Sequence, residues 1–136
     1  MAKVFSFREG NGFVWERHIS AEDVRRFGEI VGDLNPVHID EEYARGSYFK
    51  QRIVHGAFLA GLVSKVLGMD FPGQGTIYIS QNTVFKRPVY LNTTVSIEVK
   101  ITQVFQAERR LVLETNILNT DGKTCVSGSA TVWIPE

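Results

Sequence analysis

A single cysteine, Cys125, is all that the 136 residues contain, which excludes an intramolecular disulfide and any metal site built from several cysteines. Cys125 falls in an alternating, strand-like run and reads as a packing residue. Charge of one sign is also lacking. Fifteen Lys and Arg against fifteen Asp and Glu leave a formal net charge of zero, so neither nucleic acid nor an anionic membrane is expected as principal partner. Local basic clusters can still hold a small anion. No run of about 20 apolar residues is present to span a bilayer, and the opening M-A-K-V-F-S-F-R-E-G lacks the apolar centre of a secretory leader. The expectation is a soluble, cytoplasmic protein. Internal repeats, linkers and low-complexity segments are absent too, so residues 1–136 read as one domain, long enough to bury roughly 60–70% of the unfolded surface.

What the chain does have is an apolar stretch from His55 to Met69. Ala57, Phe58, Leu59, Ala60, Leu62, Val63, Val66 and Leu67 point in every direction around a helix, the pattern of one buried on nearly all sides. At 1.5 Å per residue it is roughly 20 Å long. Before it, Phe13 to His18 follows the turn residues Gly10, Asn11 and Gly12 as a short strand. Ser20 and Asp23 then form an N-terminal capping pattern, and Val24, Phe27, Ile30 and Val31 recur at helical spacing until Gly32. This predicts a surface helix with one apolar side. Pro36 keeps Asn35 out of helical geometry and sets a turn, after which Asp40 is placed to cap a short helix over Glu41 to Ala44.

Beyond Gly68 the pattern turns to strands: Thr76 to Phe85, Thr94 to Phe105, Arg109 to Leu118, and Thr124 to Ile134. Val95, Ile97, Val99 and Ile101 alternate with polar residues, as when one sheet face is buried. Pro88 with Asn92, then Gln106 to Glu108, then N-T-D-G at 119–122 supply turn chemistry for consecutive antiparallel connections. The expected architecture is α+β: a strongly curved, mostly antiparallel five-stranded sheet wrapped around the central helix, a hot-dog fold.

Asp33, Asn35, His38 and Asp40 crowd beside the Pro36 turn, and His55-Gly56 opens the apolar helix. As a bare cluster, Asp33 and Asn35 can simply tie a loop, with His38 on the surface. A metal site from His38, Asp40 and His55 is conceivable, without a recognisable ligand motif to support it.

D-L-N-P-V-H-I-D at 33–40 together with I-V-H-G-A-F-L-A-G-L at 53–62 resembles the hydratase motif of the (R)-specific enoyl-CoA hydratases, the MaoC-like hot-dog proteins. The resemblance continues through P-G-Q-G-T-I-Y at 72–78, F-K-R-P-V at 85–89 and S-G-S-A at 127–130, covering most of the chain after residue 20. It is closest to the single-hot-dog members that supply hydroxyacyl-CoA for polyester synthesis. It implies that Asp33 and His38 are the catalytic pair holding a water against the substrate's double bond. Gly56 would offer its backbone N–H to the thioester carbonyl, with Asn35 and Ser64 in support. One departure is Asn92-Thr93, where relatives often have Gly-Asp.

The chemistry suits these residue types. Hydrating a trans-2-enoyl thioester adds water at C3 while negative charge develops on the thioester oxygen; positioned acid/base groups contribute about 10²- to 10⁴-fold, and the first turn of a helix presents unpaired N–H donors. His55 either caps the helix or lines the pocket, and His18 is structural or exposed. Lys50, Arg52, Lys86 and Arg87 are candidates for the phosphates of coenzyme A, with solubilising surface charge as the plainer role, and Phe49, Phe58, Phe71 and Tyr78 for an acyl tunnel, with core packing as the plainer role. The resemblance implies an acyl-CoA substrate, a homodimer, and no metal or redox cofactor. The alternatives are a dehydratase of acyl carrier protein thioesters, a hot-dog thioesterase, and a non-catalytic acyl-thioester sensor.

Overall fold

The computed structural model describes residues 5–136; Met1 to Val4, part of the opening segment read above for a leader, lie outside the described residues. Its elements run β1 (Gly12–Ile19), α1 (Ala21–Val31), α2 (Pro36–Ile39), α3 (Glu41–Arg45), α4 (Gly56–Lys65), a π-helical turn (Val66–Asp70), β2 (Ile77–Phe85), β3 (Thr93–Phe105), β4 (Arg110–Leu118) and β5 (Thr124–Trp133). Strand ends therefore fall within a residue or so of those predicted. The capping box of α1 is present: the Ser20 hydroxyl accepts from Asp23 N–H and the Asp23 carboxylate accepts from Ser20 N–H, both at 3.0 Å. Gly32 ends the helix in the left-handed region at φ 81°, where glycine carries no Cβ penalty.

All four strand pairings are antiparallel, in the order β1-β3-β4-β5-β2. The register sets Ile97 beside Ile117 and Ile117 beside Val126, which gathers Val95, Ile97, Val99, Ile101, Leu113, Ile117, Val126 and Ala130 into one buried core. Leu59, Leu62 and Val63 of α4, then Val66 and Leu67, belong to the same core. Each such side chain contributes about 1.5–3 kcal/mol relative to exposure. This is the expected α+β hot-dog arrangement, with an open sheet edged by β1 and β2. Cys125 is fully buried within it. Among the described residues no helix is long and apolar enough to cross a membrane.

Three expectations need correction. The consecutive antiparallel connections hold for β3–β4 and β4–β5 but not for β2–β3: β2 lies against β5, and β3 is flanked by β1 and β4. The connection from β2 to β3 is therefore a crossover, pinned where Val54 N–H donates to Val89 O (2.8 Å) and where Ile53 bridges Tyr90. The central helix is not buried on nearly all sides. Ala57, Gly61 and Ser64 form an exposed stripe on α4, because an open sheet covers only the opposite side. The helix also changes pitch after Lys65, with Phe71 N–H reaching Val66 O at 2.8 Å; Lys65 is held there by Asp70 at 2.7 Å and lies 3.6 Å from the Trp15 ring centroid. Finally, α1 buries Val24 and Gly28, while Ile30 is 83% exposed and Val31 55%, so its last turn projects past the body it packs on.

The Asn92-Thr93 turn is well satisfied. Asn92 adopts φ 62°, a conformation asparagine tolerates. Its N–H donates to Ile19 O (2.7 Å) and its side chain accepts from Ala21 N–H (3.1 Å).

Gly128 of β5 faces Thr83 across the β2 pairing, and a Cβ there would stand 2.0 Å from Asn82 O. Gly128→Ala is expected to push β2 outward and cost about 1–3 kcal/mol, the usual range for overpacking. Urea denaturation should show a lower midpoint at unchanged slope; an unchanged midpoint would mean that the edge strand yields freely.

Candidate active site

The segment between α1 and α3 folds through its own short polar side chains. Asp33 Oδ1 accepts from Asn35 N–H (3.2 Å), and Asn35 Oδ1 accepts from Val37 N–H (3.3 Å), capping a helical turn whose first residue is Pro36. The sequence predicted only a proline turn here; the structure makes it α2, which carries His38 inward. Asp40 caps α3 as expected, its Oδ1 accepting from Glu42 N–H (3.0 Å) and Tyr43 N–H (3.1 Å).

This segment is laced to the residues that open α4. Ile53 N–H donates to Val37 O (3.2 Å), His38 Nδ1 lies 2.7 Å from Ile53 O, and His55 Nε2 lies 3.0 Å from Asp33 O. The two imidazoles stack with centroids 3.8 Å apart and planes at 27°. A carbonyl oxygen only accepts, so both ring nitrogens facing one carry the proton. With one proton on each ring, the lone pair falls on Nε2 of His38 and on Nδ1 of His55. Burial pushes the His38 pKa below its ordinary value; the Ile53 carbonyl opposes that, His55 reinforces it and Asp33 opposes it. His38 is thus an imidazole base near neutral pH.

Ligand-type atoms of Asp33, His38 and His55 all lie within 4.8 Å of one another. The trio considered from sequence, His38, Asp40 and His55, is not the one assembled, because Asp40 is committed to the α3 cap. Even the assembled trio is a poor cage for an ion. Imidazole lone pairs lie in the ring plane, and stacked rings aim theirs side by side instead of at one point.

Gly56, the first residue of α4, has no side-chain cap before it: the His55 ring, expected as one possible cap, is turned to Asp33 instead. The first-turn N–H groups of a helix have no partner within it and carry its partial positive charge. Gly56 lines an open cavity of about 400 Å³ with Tyr48, Phe49, Leu59, Phe85 and Val89, and with Lys86 and Arg87. A Cβ at residue 56 would meet the Phe85 ring at 2.8 Å, so glycine is required for that ring to close over the helix start. Sequence reasoning quoted Phe85 within a motif and gave it no role; it stands at the end of edge strand β2, paired there with Val126 of β5.

The other candidates are dispersed. Phe58 is buried with its ring 5.1 Å from that of Phe27, and Phe71 packs on Phe7 at 5.9 Å. Ser64 sits on the exposed stripe of α4, roughly 12 Å along the axis from Gly56 at 1.5 Å per residue. Of the aromatics considered for a tunnel, Phe49 borders the cavity, while Tyr78 stands 39% exposed on β2. Arg52 pairs with Glu41 (3.0 Å), Lys50 is exposed, and exposed His18 meets Thr94 Oγ1 at 3.3 Å.

The sequence pattern of the family described as MaoC like domain matches residues 7–122. An (R)-specific enoyl-CoA hydratase of Rhodospirillum rubrum is 38% identical over 128 residues, which span 94% of this chain and 88% of that protein. A 3-hydroxybutyryl-CoA dehydratase of Methylorubrum extorquens is 37% identical over 123 residues, 90% of this chain and 78% of that one. The solved (R)-hydratase from A. caviae, described as involved in PHA biosynthesis, superposes with a TM-score of 0.93 at 35% identity, covering 96% of this chain and 98% of that one.

The depressed His38 pKa makes stability depend on pH. Below the ordinary value of 6.5 the unfolded chain takes up a proton that folded His38 refuses, so stability is full above that pH and declines as pH falls toward the lower folded value. Urea midpoints measured between about pH 7 and 5 should fall more steeply for the parent than for His38→Gln. Equal slopes would contradict a buried neutral His38.

Proposed function

The chain belongs to the MaoC-like domain family, and from that membership we propose that it is an (R)-specific enoyl-CoA hydratase, a hydro-lyase that reversibly adds water to trans-2-enoyl-CoA to give (R)-3-hydroxyacyl-CoA. The observation that carries the reading is the pairing of two half-sites on laced segments: Asp33 with the lone-pair nitrogen of His38 on one, and the uncapped start of α4 at Gly56 on the other.

In this reading the carboxylate of Asp33 and Nε2 of His38 accept hydrogen bonds from the two O–H groups of one water, turning its oxygen toward C3. As the new C3–O bond forms, the double-bond electrons move toward the thioester and its oxygen gains negative charge. Gly56 N–H donates to that oxygen; losing a comparable donor elsewhere costs about 2.7–4 kcal/mol. The pair takes one water proton, the other stays on the new C3 hydroxyl, and the pair delivers a proton to C2 to complete the addition. Neutral His38 suits this role because a base must hold a free lone pair at the working pH. Asn35 and His55 support the site, Phe58 backs His55 through the Phe27 ring, and the basic side chains of Lys86 and Arg87 at the cavity suit the phosphates of coenzyme A. Ser64 lies too far along α4 to reach the reacting carbons. Supplying hydroxyacyl-CoA to polyester synthesis is the metabolic setting proposed.

A homodimer belongs to the same proposal. Edge strand β2 exposes Ile77, Tyr78, Ile79, Val84 and Phe85, and an apolar edge is a liability unless paired. The small side chains of the α4 stripe leave open space, with nothing within 4 Å of a Cβ built at Gly61. A second copy joined along β2 would cover both. Sedimentation equilibrium should give a dimer that Ile79→Lys weakens together with activity; an active monomer at assay concentration would contradict it.

Crotonyl-CoA followed near the enoyl-thioester absorbance band tests the reaction. Absorbance should fall without release of free thiol, which a thioesterase would produce, and chiral analysis should find the (R) product. Asp33→Asn and His38→Ala should each slow hydration at least ~10²-fold while the protein remains folded, and the double variant should be little worse than the poorer single one, since both hold one water. Parental rates in both singles would assign the pair a structural role and favour an acyl-thioester sensor.

A further inference from the structure

Resting on the hydratase reading, we propose that His55 is a positioning residue that fixes the distance between the water-holding pair and the thioester-holding helix start. It is 1% exposed and immediately precedes Gly56, so its backbone moves with the N–H that would receive the thioester oxygen. Its side chain reaches back to the other half-site, where Nε2 donates to the backbone carbonyl of Asp33 at 3.0 Å and the ring lies on that of His38 at 3.8 Å. One residue therefore touches both groups of the water end and is covalently joined to the carbonyl end.

Two further observations belong to the same device. Gly28 of α1 stands behind the contact: a Cβ there would meet Asp33 O at 2.8 Å and His55 Nε2 at 3.5 Å. The Asp33 carbonyl is thus seated between a glycine and an imidazole N–H, with room for neither to grow. Phe27 closes the far side of the ring at 5.0 Å. His55 Nδ1 is buried with no hydrogen-bond partner among the described residues, an uncompensated group of the kind that costs about 1–3 kcal/mol. A histidine kept at that cost for core packing alone would be better replaced by a phenyl ring. The Nε2 donation is what a phenyl ring cannot supply, and displacements of about 1 Å at a reacting centre cost on the order of 10²-fold in rate.

His55→Phe and His55→Gln separate the ring from the donor. Phenylalanine keeps the stacking and burial but has no N–H; glutamine offers an amide N–H near the Nε2 position without the ring. Phe should lower kcat for crotonyl-CoA at least ~10-fold with KM changed by less than about 3-fold, and Gln should recover most of the loss. The acid limb of kcat/KM should also move to higher pH in both, because a neighbouring imidazole that holds the His38 pKa down has gone. The other charged groups around His38, namely Asp33 beside it and Glu22, Arg25 and Arg52 on the small cavity it borders, remain. Gly28→Ala, which crowds the same carbonyl from the α1 side without altering an ionisable group, should lower kcat with the acid limb unmoved.

Parental kcat in folded His55→Phe, or equal loss in Phe and Gln with a lowered Tm and an unmoved acid limb, would overturn the positioning role. Should His55→Phe fail to fold, Gly28→Ala decides: parental kcat there overturns the proposal, and a ~10-fold loss in a folded protein supports it. A parent protein unable to hydrate crotonyl-CoA would instead remove the hydratase reading itself.

Discussion

Everything that can act chemically here depends on lacing residues 33–38 to residues 53–56. Three hydrogen bonds and one ring stack do it: Ile53 to Val37, His38 to Ile53, His55 to Asp33, and His38 on His55. Neither segment has a fold of its own; one is a loop with a single helical turn and the other a short extended run. The supports lie outside them. The crossover strand segment holds Val54 through Val89, and the glycine face of α1 receives the Asp33 carbonyl. Asp33 itself remains exposed while His38 and His55 are buried, so a solvent-side carboxyl group stands beside an imidazole whose pKa burial pushes down.

The second constraint is geometric. Five strands cover one side of α4 and leave the other side and the β2 edge open. Phe85, at the end of that same edge strand, sits on Gly56. The cavity's apolar wall is thereby tied to the sheet edge, so that in the proposed dimer assembly would be coupled to the shape of the proposed thioester pocket.

Much of the scaffold was legible in the residues. Alternation in β3 located its inward face, Ser20, Asp23 and Gly32 marked both ends of α1, and Asp40 marked the start of α3. Those signals are local, and local chemistry fixes them. Strand order was not legible: β2 looked continuous with β3 because turn residues separate them, yet turn chemistry does not say whether a chain doubles back or crosses over. Apolarity around α4 suggested burial on all sides, but Ala57 and Gly61 are as compatible with an unfilled face as with a core. The motif at 33–40 and 53–62 brought Asp33, His38 and Gly56 forward by resemblance. The part of Gly28 and the true contact of the His55 side chain depend on tertiary approach and leave no periodic trace.

The most direct measurement of the central claim is a crystal structure with butyryl-CoA, a saturated and therefore unreactive thioester. The account predicts the thioester oxygen about 2.7–3.1 Å from Gly56 N, with C3 turned to Asp33 and His38 Nε2 and a water between them. A thioester bound with its oxygen away from Gly56, or with C3 remote from the Asp33–His38 pair, would contradict it.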